Sequence, residues 1–147
     1  MSEERVNRKL TTVVSADVAG YSRLTASDEE ATLAAMRAHR AELIDPKILE
    51  FDGRIANTAG DSLLIEFPSV LAAVRWAIEV QGGMARRNAE EAEDRRIDFR
   101  IGINSGDVIE EAGDLLGDGV NVAARLQGLA DTGGVCISER VHAEVHG

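Results

Sequence analysis

Residues 54–67 read RIANTAGDSLLIEF: two apolar, strand-like runs, Arg54–Thr58 and Ser62–Phe67, flank the small hinge TAGD. That is the pattern of a β-hairpin, and a hairpin commits the chain to antiparallel pairing. A tight two-residue turn would carry Asn-Gly or Asp-Gly. Here the order is Gly60-Asp61, which leaves a carboxylate at the tip, and Asn57 lies four residues before it.

On the N-terminal side, Leu10–Ala16 (LTTVVSA) is a β-branched run that reads as a buried strand ending at Asp17 and the turn Ala19-Gly20. Ser27 and Glu30 have the spacing of a capping box, followed by a helical face of Leu33, Met36, Leu43, Ile44 and Ile48. Pro46 predicts a kink or break near Asp45. On the C-terminal side, Pro68-Ser69 opens a helix with Val70, Val74, Ile78 and Gln81 on one face. The charged stretch 88–96 reads as a connector, and Ile97, Phe99, Ile101 and Ile103 alternate as a strand should. Asn104–Asp107 is expected to turn that strand back into Val108–Glu110. A helix over Gly119–Leu129, with Val122, Leu126 and Leu129 as its buried ridge, a strand over Val135–Ser138 and a helix from Glu139 complete the chain. Helices alternating with paired strands predict an α+β, ferredoxin-like sandwich: a mainly antiparallel sheet with helices packed on one face.

The 147 residues suffice for one domain with its own core, and 44% hydrophobic with 29% charged residues is ordinary globular composition. We read residues 1–9 as an N-terminal tail and 10–147 as the domain. A formal charge of -10 argues against broad contact with nucleic acid or an anionic membrane. The N-terminus lacks an apolar signal-like core, and no run reaches membrane-spanning length, so a cytoplasmic location is expected. The single cysteine, Cys136, rules out a disulfide framework.

Asp17 at a strand end and Asp61 at a hairpin tip would meet at one sheet edge if the first strand lies beside the hairpin. Paired carboxylates there suit hard divalent cations, with substrate phosphates completing the shell. Two such ions roughly 3.5–4 Å apart can activate one oxygen and stabilise another. The amides of Ala19, Gly20 and Tyr21 would form a backbone cradle for phosphate oxygens. By pattern alone, Asp17 serves equally well as a turn residue and Asp61 as a hairpin acid. Asn121 and Arg125, one helical turn apart, offer an amide and a guanidinium to one place, as anion stabilisation requires or as a solvated helix surface displays.

Taken together and in this order, SADVAGYS (15–22), NTAGDSLLIEF (57–67), RIGINSGDV (100–108) and DLLGDGVNVAARL (114–126) resemble the class III nucleotidyl cyclases, and most of all bacterial adenylate cyclase catalytic domains. The likeness runs from about Leu10 to the end of the chain. It implies conversion of ATP to cyclic AMP and pyrophosphate in a head-to-tail homodimer with two shared sites. On that pattern Asp17 and Asp61, with the carbonyl of Val18, hold two Mg²⁺ or Mn²⁺. The second copy brings Asp114 and Asn57 to the adenine, Asn121 to the ribose and Arg125 to the charge developing at the α-phosphate. The alternative is a cyclase-like module, catalytically weak or inactive, that dimerises or binds nucleotide for regulation.

Three features depart from the family pattern. Asn57 stands where adenylate cyclases usually carry lysine, so an uncharged, shorter group meets the base. Asp107 occupies a position where some relatives place a cation for the triphosphate. The family usually continues past the last helix into a further hairpin bearing a phosphate-binding lysine, so the domain is expected to be cut short there.

Overall fold

The structure, a computed structural model, describes residues 7–146; residues 1–6 of the expected tail lie outside them. In chain order the elements are β1 (Asn7–Val18), α1 (Tyr21–Ser27), α2 (Glu29–His39), a π-helical turn (Arg40–Ile44), α3 (Asp45–Glu50), β2 (Arg54–Ala59) and β3 (Ser62–Phe67). There follow α4 (Val70–Asn88), a 3-10 turn (Glu93–Arg95), β4 (Phe99–Glu111), β5 (Asp114–Leu116), α5 (Asp118–Leu129), β6 (Val135–Ile137) and α6 (Glu139–His146). The strands form one sheet in the order β2-β3-β1-β4-β5, antiparallel throughout, with β6 added parallel to β4. This is the α+β class expected, and the hairpin of residues 54–67 is its β2–β3 edge.

Strand alternation sorts β1 onto two faces. Val14, Ala16 and Val18 join the main core with Leu24, Ile44, Ile65, Phe67, Trp76 and Phe99, beneath α1–α4 and α6. Val13 faces the other way, into a smaller cluster with Val108, Leu115 and Ala123. One helix therefore departs from the expected one-sided layer: α5 lies on the opposite face. The reason is visible in the contact surface. A Cβ on Gly102 would stand 2.3 Å from the amide nitrogen of Gln127 and 2.4 Å from the carbonyl of Ala123, so α5 rests on bare backbone.

That close approach also corrects two sequence expectations. The ridge of α5 facing the sheet is Gly119, Ala123 and Gln127, while Leu129 is exposed and Val122 and Leu126 are half-buried. Leucines do not fit so narrow a gap. Asn104–Asp107 is no turn: β4 runs straight through it, pairing with β1 from Val18↔Phe99 to Asn7↔Glu110. Its turn-forming residues serve the helix above, Asn104 Nδ2 donating to Gly119 O at 3.0 Å. The reversal comes at Ala112-Gly113, both at positive φ.

Elsewhere the differences are local. The cap of α2 is Asp28, whose carboxylate accepts from the Ala31 amide at 3.0 Å, because Ser27 belongs to α1. Pro46 does interrupt the helix. The chain accommodates it with a π turn, the Asp45 amide reaching back to Arg40 O, since proline supplies no amide of its own. On α4 the buried face is Val70, Ala73, Trp76, Ala77, Val80 and Met84, and Ile78 points outward. Asn88, read as connector, is buried and clasps both the amide and the carbonyl of Ile97.

Two outcomes follow for stability. Gly102→Ala should cost about 3 kcal/mol in urea unfolding, since the clash is with backbone that cannot rotate away. His39, buried, accepts a hydrogen bond at Nδ1 from Arg87 Nε at 2.9 Å. Burial, then the Arg87 charge, holds its imidazole below the usual 6.5. The unfolded chain therefore takes up the proton more readily, and stability, complete above about pH 6.5, falls as pH drops below it. Melting temperatures between pH 7.5 and 5 should decline less steeply for His39→Gln than for the parent.

Candidate functional site

β1 and β3 are neighbours in the sheet, so the end of β1 lies beside the β2–β3 tip. The tip turns at Gly60 (φ 60°), a left-handed conformation that glycine adopts without strain. Asp61 then points back to the strand end, and its Oδ2 accepts from the Val18 amide at 3.0 Å. Asp17, one residue away, is directly opposite Arg100 in the β1–β4 ladder. Arg100 donates to both Asp17 oxygens, Nε to Oδ1 at 3.2 Å and Nη2 to Oδ2 at 3.1 Å. The pair is half-buried, with 18% of the aspartate and 31% of the arginine side chain exposed. Sequence reading quoted Arg100 in a motif but gave it no task. Its signal was positional only, an arginine set between the apolar residues Phe99 and Ile101.

The cradle of amides is narrower than expected. Ala19 N donates to Asp98 O at 2.8 Å, continuing the β1–β4 ladder, and is not available to a ligand. Gly20 and Tyr21 remain, at the start of α1, where amides lack intrahelical partners.

A second group assembles elsewhere. Although β2 and β5 stand at opposite ends of the strand order, the sheet curls until their side chains meet. Asn57 Nδ2 lies 3.2 Å from each oxygen of Asp114, and Asp114 Oδ1 also accepts from the Leu115 amide at 2.8 Å. Beside Asn57 a cleft of about 280 Å³ opens between the hairpin and α5, lined by Ser15, Ala59, Ser62, Val120 and Ala124 among others. Asn121 and Arg125 are exposed on α5, each next in sequence to one of those lining residues. Among the described residues no hydrogen bond joins this group to Asp17, Asp61 or Arg100. The chain carries two candidate half-sites.

The same curl is fastened further along by a charge cluster that sequence reading missed. Arg54 reaches Glu66 at 2.8 Å, Glu110 at 3.3 Å and the Gly113 carbonyl at 2.8 Å, while Lys9 contacts Glu66 at 3.0 Å and Glu110 at 2.8 Å. Burial pushes the Glu66 carboxyl up, but hydrogen bonds from Thr11, Lys9 and Arg54 outweigh it and hold the group below its usual range. Apart from Arg54 and Glu66, which face each other across the hairpin, the partners lie far apart in sequence, which is why no local pattern announced the cluster.

The chemistry of the donors at the first half-site fits a hard divalent cation: two carboxylates and the Val18 carbonyl, all oxygen. Among the described residues no group of three or more His, Cys, Asp or Glu is placed to hold a metal. No helix among those residues is long and apolar enough to cross a membrane.

Comparison with known proteins places these half-sites in context. Residues 4–146 match the family described as adenylate and guanylate cyclase catalytic domain. The chain is 44% identical, over all 147 residues, to a Rhizobium meliloti protein named "Putative adenylate cyclase 3", and spans 25% of that protein's length. It is 31% identical, over 92% of its length, to an adenylate cyclase of Streptomyces coelicolor, of which it covers 34%. Among solved structures, an adenylate/guanylate cyclase/hydrolase from Silicibacter pomeroyi superposes with a TM-score of 0.90 at 42% identity, covering 97% of this chain and 83% of that one.

Proposed function

The chain belongs to the adenylate and guanylate cyclase catalytic domain family, and on that premise we propose that it is an adenylate cyclase whose active sites are shared between two copies. The observation that carries this reading is the separation of the half-sites. Asp61 accepts from the Val18 amide at 3.0 Å, next in sequence to Asp17 at the end of β1, whereas Asn57 and Asp114 meet across the curled sheet edges. Neither group is complete alone. A head-to-tail pair closes each acid half-site with the other copy's α5 and Asn57–Asp114, giving two equivalent sites.

In this assembly Asp17, Asp61 and the Val18 carbonyl would hold two Mg²⁺ or Mn²⁺. When bound, these ions lower the barrier by stabilising charge on the attacking 3′-oxygen and on the leaving pyrophosphate. The chain's own residues orient the reaction. The amides of Gly20 and Tyr21 face triphosphate oxygens. The second copy's Asn121 holds the ribose, and its Arg125 faces the α-phosphate, where negative charge accumulates as the 3′-oxygen bonds to phosphorus and pyrophosphate departs. Asp114 accepts from the adenine amino group. Asn57, already spending its amide on Asp114, completes the base pocket with a neutral group. Location in the cytoplasm and independence from nucleic acid and membrane belong to the same proposal.

A dimeric preparation given ATP and Mn²⁺ should form cyclic AMP, and Asp17→Ala or Asp61→Ala should lower the rate at least about a thousandfold. Absence of product from a dimer would overturn the proposal. Mixing Asp17→Ala with Arg125→Ala should restore part of the activity, because one of the two sites in each mixed dimer is then intact; no recovery despite subunit exchange would refute the shared site. Asn57→Lys should raise the ATP-to-GTP ratio of kcat/KM about tenfold, by adding a charged donor to the base. An unchanged ratio means residue 57 does not read the base.

A further inference from the structure

The two oxygens of Asp17 are the natural anchor for a cation, and in this structure both are taken by Arg100. The guanidinium lies across the carboxylate in the two-pronged geometry that suits this pair best, at 3.2 and 3.1 Å. The contact is no accident of a flexible surface chain. Arg100 and Asp17 are direct partners in the β1–β4 register, so their side chains leave the sheet side by side. Asp61, by contrast, engages only the Val18 amide, through Oδ2. The half-site therefore has one carboxylate open to a ligand and one already neutralised.

We propose that Arg100 is a positioning residue that competes with the divalent cation for Asp17 and so makes metal loading depend on nucleotide. The inference rests on the metal-site reading above. A bare divalent ion approaching Asp17 meets the guanidinium at short range, and like charges in a partly desolvated setting repel strongly. To coordinate Asp17 through the oxygen positions now filled, the ion must also displace two charge-assisted hydrogen bonds. A metal bound to a nucleoside triphosphate brings its own negative charge and pays a much smaller repulsion. Arg100 thus holds the Asp17 carboxylate oriented while the site is without metal, and weakens binding of the free ion more than that of the metal–nucleotide complex.

The test is Mn²⁺ titration of the dimeric protein by electron paramagnetic resonance, without nucleotide and then with a non-cyclisable ATP analogue. Arg100→Gln should bind free Mn²⁺ about tenfold tighter than the parent. The gap between affinities without and with the analogue should narrow correspondingly. Mn²⁺ should also raise the melting temperature of Arg100→Gln more than that of the parent, because the ion then neutralises a carboxylate left unpaired. Arg100→Lys, which keeps the charge but loses the two-pronged contact, should fall between them, and it serves if the glutamine variant folds poorly. Equal or weaker Mn²⁺ binding by both variants, with parent binding still abolished by Asp61→Asn, overturns the role of Arg100 and leaves the metal site standing. Mn²⁺ binding that is indifferent to Asp17→Asn and Asp61→Asn overturns both.

Discussion

The long antiparallel pairing of β1 with β4 is the constraint on which the other features depend. It runs unbroken from Asn7↔Glu110 to Val18↔Phe99, and alternation along it assigns each β1 residue a neighbour and a face. Val14, Ala16 and Val18 go to the main core. Thr11, Val13, Ser15 and Asp17 go to the other face, where they meet in turn Glu66, the small cluster under α5, Gln127 and Arg100. One strand thus delivers charge network, helix seat and candidate metal acid in order. A register slip of one residue would send Asp17 into the core and Val18 to the site.

The second face is held by fit more than by area. Its apolar cluster is small, and α5 gains its position by lying against backbone at Gly102 and, through Gly119, against the carbonyl of Asp107. Polar contacts then set its pitch: Ser15 with Gln127, and Asn104 with the Gly119 carbonyl. Because Asn121 and Arg125 ride on this helix, their placement is inherited from glycines in β4 rather than from any contact of their own. The curl that brings β2 to β5 plays the same part for Asn57 and Asp114.

Local signals carried far in this sequence. The hairpin, the acid at its tip and the acid at the end of β1 were legible because each is written within a dozen residues of chain. The features that escaped are those where tertiary contact overrode local preference. Asn104-Ser105-Gly106-Asp107 has turn chemistry, yet its small residues were selected for the passage of α5, and the strand continues. The leucines of α5 have helical spacing, yet the gap admits only glycine, alanine and an inward glutamine. Arg100 acts on a partner 83 residues away, and Arg54, beside its hairpin neighbour Glu66, on partners 56 and 59 residues away; separations of that kind leave no periodicity to find.

The hairpin carries a member of each candidate group. Its tip presents Asp61 to the strand end of its own chain, and three residues before the turn Asn57 faces Asp114 across the curl. The two side chains lie close together in sequence yet settle on separate partners, Asp61 on the Val18 amide and Asn57 on Asp114. On the shared-site proposal, the same fourteen residues would serve two different nucleotides, one through the carboxylate and one through the amide. In the proposed two-fold assembly every copy gives an acid half to one site and an Asn57–Asp114 half to the other. Gly60-Asp61 is ordered as it is because the glycine takes the left-handed turn and frees the acid to reach back. Asn57 matches that frame in length, since its amide spans to both oxygens of Asp114.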